Sequence, residues 1–87
     1  MKITGFEWDA ANVHHVERHG VSPLEAEEVF LEGPLFRSTR LGRFIAYGRT
    51  LGGRYLTVIF ALKQGIARVI TARPMTASER RYYSKRR

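Results

Sequence analysis

Apolar positions along this chain change their spacing near Gly33, from a helical period before it to strand-like alternation after it. Bulky and β-branched residues first predict a short strand over Lys2–Trp8. Asp9 then supplies a helix N-cap, and Gly20 suits the left-handed position after a helix that ends near His19. The chain is therefore expected to begin with one strand and one helix.

A second helix is predicted by a start signal at Ser22–Glu25. This segment combines a serine N-cap, proline at the first helical position and glutamate at the third, which together make a capping box. Apolar side chains then recur on one face of the helix, at Ala26, Val29 and Phe30. Gly33 and Pro34 are expected to end it.

The remainder of the chain predicts strands joined by short turns. The strand-like segments are Pro34–Ser38, Arg43–Thr50, Tyr55–Leu62 and Ile66–Arg73. Short turns make neighbouring strands antiparallel, so these segments predict a meander whose most apolar member, Tyr55–Leu62, lies at the centre. Thr76 or Ser78 can cap a last helix. The expected fold class is α+β, with a small antiparallel sheet, two N-terminal helices and one C-terminal helix.

Length and composition favour a single domain over residues 1–87. The absence of cysteine excludes disulfides and cysteine-based zinc sites. No apolar run approaches the roughly 20 residues that span a bilayer. The first residues also lack the apolar core of a signal peptide. We therefore expect a soluble cytoplasmic protein without a membrane partner.

Charge is divided between the two halves of the chain. Residues 1–32 carry two basic and seven acidic side chains, a balance of −5, whereas residues 33–87 carry thirteen basic and one acidic, a balance of +12. Such asymmetry suggests a polyanionic partner, with nucleic acid or an anionic membrane as the main options. The alternative is solubilising surface charge without one target. Because the basic half also holds the strands, we expect the charge on a folded surface.

Four charged residues of the basic half are candidates for one site. Arg49 and Arg73 lie near strand ends, and Glu79 and Arg80 lie in the last helix. Where these elements converge, the guanidinium groups offer donors suited to phosphate. A purely structural alternative is equally open, in which Arg73 pairs with Glu79 and Arg49 caps the sheet edge. Arg68, in the middle of a strand, is a further phosphate-binding candidate.

Aromatic and histidine residues add two more hypotheses. Tyr82 and Tyr83 follow two arginines, the second being Arg81, and cations interleaved with rings suit single-stranded RNA. One tyrosine of such a helical pair is expected to face the core. His15 and His19 have a spacing that can bind metal. Because no further ligand cluster accompanies them, we expect His19 to interact with the helix C-terminus, and no metal or cofactor.

Seven segments of the chain resemble the BrnT family of type II toxins from bacterial toxin–antitoxin pairs. They are Phe6–Asp9, Asn12, Arg18–Val21, Glu27–Phe30, Gly42–Arg49, Arg68–Arg73 and Glu79–Tyr82. The correspondence departs at Arg37–Arg43, where many family members have a run of acidic residues. The resemblance implies a RelE-like fold and a ribonuclease that arrests growth. It also implies a BrnA-like ribbon-helix-helix antitoxin, whose complex with the toxin binds operator DNA.

A metal-independent endoribonuclease must remove the 2′-OH proton, stabilise the phosphorane and protonate the 5′-oxygen. Positioned arginines serve the second need, so Arg49, Arg73 and Arg80 are the candidates for it. As the one carboxylate of the basic half, Glu79 is either the general base or a residue that orients an arginine. The acid is expected to be one of two residues of the chain, His19 or Tyr82.

The candidate RNA-binding residues are Arg43, Arg68, Arg81 and Tyr82. Two alternatives to catalysis remain at this point. The chain can be a nucleic-acid-binding module that does not cleave, whose affinity falls linearly with log salt. It can also be a module whose basic face docks an acidic antitoxin.

Overall fold

Five strands and three helices form the part of the chain that the structure, a computed structural model, describes, residues 1–86. In chain order they are β1 (Gly5–Glu7), α1 (Ala10–Arg18), α2 (Pro23–Glu28), β2 (Leu35–Ser38), β3 (Arg43–Arg49), β4 (Tyr55–Lys63), β5 (Ile66–Pro74) and α3 (Ala77–Arg86). The α+β class predicted from the sequence is confirmed. Over this range, every helix is too short or too polar to cross a membrane.

The five strands form one sheet in the order β1-β5-β4-β3-β2, with β4 at the centre as predicted. Strands β2 to β5 are antiparallel neighbours, which confirms the meander. Strand β1 differs because it pairs in parallel with β5, Gly5 lying opposite Ile66. No turn fixes the direction of β1, since two helices separate it from the other strands, and the sheet is therefore mixed.

All three helices begin at side-chain caps. Asp9 and Ser22 each take part in a capping box. The sequence predicted the capping box at Ser22, and at Asp9 it predicted only the N-cap. Helix α3 is capped by Thr76, whose hydroxyl accepts from the Glu79 N–H while Glu79 accepts from the Thr76 N–H. Helix α2 ends at Glu28, earlier than expected, and Val29 and Phe30 belong to the turn that follows it.

The sheet has a different covering on each face. Helices α1 and α2 cover one face, where the core is built from side chains including Val16, Val29, Leu56, Val58, Phe60 and Val69. Asn12 holds α1 to the sheet, because its buried amide donates to the Glu7 and Val69 carbonyls at 3.0 and 2.8 Å. Helix α3 lies on the opposite face, against the ends of β3 and β4.

Candidate active site

The candidate site lies where strands β3, β4 and β5 end beneath the first turns of α3. Tyr47, Thr57 and Arg73 are directly opposite one another across these three strands, and Arg49 lies opposite Tyr55. Side chains alternate along a strand, so all five point away from the α1–α2 core. Helix α3 places its first charged residues, Glu79 and Arg80, above this row. The structure therefore brings together the four residues predicted to form a site: Arg49, Arg73, Glu79 and Arg80.

At the centre of this cluster is an ion pair between Arg73 and Glu79. The two side chains form a two-pronged contact, with Arg73 Nη1 and Nη2 donating to Oε1 and Oε2 of Glu79 at 2.7 and 2.8 Å. The buried Thr57 hydroxyl donates to Glu79 Oε1 at 3.0 Å, and the Thr76 N–H donates to the same oxygen at 2.9 Å. Four donors thus hold one carboxylate that is 18% exposed.

These contacts set the protonation state of the pair. The hydrogen bond from Arg73, reinforced by those from the Thr76 N–H and Thr57, lowers the pKa of Glu79 to about 2, although partial burial opposes the shift. The same pairing raises the pKa of Arg73. A carboxylate with so low a pKa is a weak base at neutral pH. Of the two roles considered for Glu79, the geometry favours orienting Arg73.

Two further arginines approach the ring of Tyr55. The guanidinium carbon of Arg80 lies 3.9 Å from the ring centroid and that of Arg49 lies 5.3 Å from it, while the Tyr83 ring meets Tyr55 edge-on at 6.0 Å. Within residues 1–86 neither Arg49 nor Arg80 forms a salt bridge, and both are exposed. They therefore hold positive charge against a ring with donors available to an anion.

A second arginine–tyrosine group adjoins the first. The half-buried Tyr82 ring lies 5.5 Å from that of Tyr47, and the guanidinium carbons of Arg37 and Arg86 lie 4.8 and 3.9 Å from the Tyr82 centroid. As predicted, one of the adjacent tyrosines, Tyr83, is buried. Sequence reasoning missed Arg37, Tyr47, Tyr55, Thr57 and Arg86. Tyr47 could have been found from the sequence, because side chains alternate along a strand and Tyr47, two residues before Arg49 in β3, lies on the same face as that arginine.

Two of the predicted RNA-binding residues lie away from this cluster. Arg68 pairs with Asp9 at 2.9 Å and with Glu7 at 3.6 Å, which lowers the pKa of Asp9 and raises that of Arg68. Along β5 it is five residues from Arg73, about 15 Å. Arg43 begins β3, six residues or about 20 Å from Arg49. Both are on the same sheet face as the cluster but at its opposite end.

The remaining candidates are Arg81, which lies on α3, and His19, which directly follows α1. Arg81 is exposed on α3. At the end of α1 the His19 backbone N–H donates to the Val16 carbonyl and the Gly20 N–H donates to the Glu17 carbonyl, while the His19 ring stacks on His15 at 5.7 Å. Because α1 covers the other face of the sheet, His19 lies outside the cluster. No group of three or more His, Asp or Glu side chains that could hold a metal occurs in the described part of the chain.

Comparison with known proteins gives a family and a fold. The family described as "Ribonuclease toxin, BrnT, of type II toxin-antitoxin system" matches residues 8–79. The crystal structure of the Brucella abortus ribonuclease toxin BrnT superposes with a TM-score of 0.69 at 24% sequence identity, covering 83% of this chain and 96% of that one. At this identity the likeness concerns the fold. A search of curated protein sequences gives no significant match.

Proposed function

This chain belongs to the BrnT family of ribonuclease toxins of type II toxin–antitoxin systems, and we propose that it is an endoribonuclease that cleaves RNA without a metal ion at the cluster around Arg73. One observation carries the proposal: Arg49 and Arg80 have donors available beside an arginine that Glu79 holds in a fixed orientation. Cleavage of RNA requires stabilisation of a dianionic phosphorane. Preorganised donors aimed at developing charge supply the largest share of such catalysis.

Each arginine has a distinct part in this proposal. Arg49 and Arg80 bind the non-bridging oxygens of the scissile phosphate, because their guanidinium groups are exposed and outside ion pairs of the described chain. Arg73 uses two of its donors on Glu79 and approaches the phosphate with the remainder. Glu79 is thus a positioning residue for Arg73. Arg43 and Arg68 contribute at most to the path of the RNA farther from the reacting phosphate, and Arg81, exposed on α3, remains a candidate for RNA binding.

The donor set of the cluster supports the proposed metal independence. Glu79 is the carboxylate there, and four hydrogen-bond donors already occupy its oxygens. A divalent cation prefers oxygen ligands that are free to coordinate it. Of the two residues considered as the acid, Tyr82 is within reach of the cluster, whereas His19 is on the other face of the sheet.

The antitoxin is the expected protein partner of a type II toxin. We propose that it is a BrnA-like ribbon-helix-helix protein that covers the same arginines, and that the complex binds operator DNA in the cytoplasm. The basic surface supports a partner that covers these arginines, since thirteen of the fifteen Lys and Arg residues lie between residues 33 and 87, whereas the BrnA-like identity rests on the family resemblance. Residues 1–87 then act as one RelE-like toxin domain.

A second candidate is RNA binding without cleavage. The low pKa of Glu79 favours it, because that carboxylate cannot serve efficiently as the general base. Such a module would retain the salt-sensitive affinity of the arginine cluster and leave RNA intact.

A cleavage assay separates the two candidates. Purified full-length protein is incubated with end-labelled single-stranded RNA in the presence and absence of EDTA. We expect internal cuts that persist in EDTA and fall at least 100-fold in Arg80→Ala, because one phosphorane-stabilising donor is worth about 10²–10³ in rate. Arg18→Ala, an exposed arginine of α1, is the matched control and is expected to cleave normally.

Two results would count against the proposal. Binding of RNA with no product at any enzyme concentration would support the non-catalytic module. Cleavage that EDTA abolishes and Mg²⁺ restores would overturn the metal-independent mechanism. Growth arrest on expression, relieved by co-expression of a cognate antitoxin, tests the cellular role separately.

A further inference from the structure

The Tyr82 group lies beside the phosphate-binding arginines but is distinct from them. Its ring contacts Tyr47, which lies two strands from Arg73 in the same cross-strand row, a separation of about 10 Å between Cα atoms. Two cations, Arg37 from β2 and Arg86 from α3, approach the ring. Within residues 1–86 neither of these arginines forms a salt bridge with an acidic side chain.

From this geometry, and building on the proposed function, we infer that Tyr82, Arg37 and Arg86 form a subsite for one unpaired nucleobase next to the cleaved phosphate. The substrate is accordingly single-stranded RNA. Aromatic rings and guanidinium planes both stack on bases, and cations beside the ring attract the flanking phosphates. A paired base is already stacked on both sides, so it cannot enter the subsite without leaving its duplex.

The fold holds this subsite in place before RNA binds. Tyr82 is half-buried against the fully packed Tyr47 ring, which is 3% exposed. Arg86 Nη1 also donates to the Tyr82 carbonyl at 3.4 Å, one helical turn away on α3. Arg37 comes from the edge strand, so the subsite joins two elements that are far apart in sequence. A preorganised platform avoids part of the ordering cost of binding.

This inference gives the Tyr82 ring, and not its hydroxyl, the principal function. We therefore expect Tyr82→Phe to keep its affinity for RNA within about twofold of the unmodified protein, because the ring that stacks on the base is retained. Tyr82→Leu should lower kcat/KM by about 5- to 150-fold, mainly through KM, because base–aromatic stacking is worth about 1–3 kcal/mol per base. A loss of affinity in Tyr82→Phe as large as that in Tyr82→Leu would show that the hydroxyl, and not the ring, holds the base, and would overturn the inference.

A binding measurement separates this inference from the proposed function. The probe is a 2′-O-methyl RNA strand, which lacks the nucleophilic hydroxyl, carrying one 2-aminopurine whose fluorescence is quenched by stacking. We expect quenching by the full-length protein and by Tyr82→Phe, and weaker quenching by Tyr82→Leu. The same strand annealed to its complement should bind at least 10-fold more weakly.

Substitutions of exposed cations test the subsite independently of Tyr82→Leu, which removes a half-buried ring and can disturb folding. Arg37→Ala and Arg86→Ala should each weaken binding of the probe, whereas Lys85→Ala, an exposed cation of the same helix, should not. Equal weakening by all three would indicate general charge attraction and overturn the subsite. If the probe binds as described but no RNA is cut, the subsite stands and the catalytic proposal fails. If RNA is cut but duplex binds equally well, the subsite fails alone.

Discussion

At the scale of single residues, Glu79 shows how neighbouring groups change the role that a side chain can have. By its position in a basic segment it is a candidate general base, yet Arg73, Thr57 and the Thr76 N–H together satisfy its oxygens. Arg73 was predictable as a partner six residues away. Thr57 was not, because its place beside Glu79 depends on strand register and on where α3 lies against the sheet.

The low pKa of Glu79 makes a prediction about acid stability. Its pKa is about 2 in the folded protein, against an ordinary value of 4.5, so the ionised carboxylate stabilises the fold. That stabilisation is complete above about pH 4.5 and is lost as the pH falls toward 2. In Glu79→Gln it is missing at every pH. We therefore expect the difference in urea midpoint between the two proteins to be largest at pH 6–7 and to shrink below pH 4.5.

Asp9 and Glu25 also have lowered pKa values and contribute to acid unfolding. Both are present in the unmodified protein and in Glu79→Gln, so their contributions cancel in the difference. A difference in midpoint that stays constant from pH 7 to pH 2.5 would show that the carboxylate's charge is irrelevant to stability.

At the scale of elements, close packing between the end of α2 and strand β3 depends on Gly48. A Cβ added there would lie 2.9 Å from Val29 Cγ1 and 3.0 Å from the Val29 carbonyl oxygen. The turn after α2 therefore rests on the backbone of β3. A glycine within a strand often marks a place of close backbone approach, but the sequence does not show which neighbour it meets.

Gly48→Ala should accordingly destabilise the fold. Overpacking of a closed core costs about 1–3 kcal/mol, so we expect a fall of that size in the free energy of unfolding, measured by urea denaturation. The matched control is Gly52→Ala in the β3–β4 turn, where an added Cβ meets only Thr50 Oγ1, at 3.8 Å, and the change should stay within about 0.5 kcal/mol. Equal effects at the two glycines would contradict the close contact at Gly48.

Prediction of the elements themselves succeeded where their signals are local. Each helix cap, at Asp9 and at Ser22, and each hairpin of the meander is formed by residues that lie within a few positions of one another in the sequence. The early end of α2 and the parallel pairing of β1 were not predicted, because each is decided by packing against the sheet.

At the scale of the whole molecule, the charge division of the sequence corresponds largely to the two faces of the sheet. The acidic N-terminal segment forms β1 and the two helices of the core face, and the cluster of exposed arginines lies on the other face. Arg68 is an exception, since Asp9 and Glu7 neutralise it. Positive charge is therefore concentrated near α3 and is not spread over all the strands.

This arrangement predicts how RNA binding depends on salt. For a single strand, log affinity falls linearly with log salt, with a slope of about −0.7 for each phosphate contact. Binding of a non-cleavable RNA is followed by fluorescence anisotropy between about 50 and 200 mM salt, and the slope should become less steep by about 0.7 in Arg49→Ala. Arg18→Ala, on the α1 side, should leave the slope unchanged. The same reduction in both variants would mean that RNA does not distinguish the two faces.

The sequence by itself determined the fold class, the central strand, the helix starts and the group of residues Arg49, Arg73, Glu79 and Arg80. These follow from signals that operate over a few residues: periodicity, capping, turn chemistry and charge. Only the tertiary structure decided which arginines are neutralised, which rings they approach and what Glu79 can do. Those outcomes depend on cross-strand register and on the contact of α3 with the sheet, which join residues separated by up to about sixty positions along the chain.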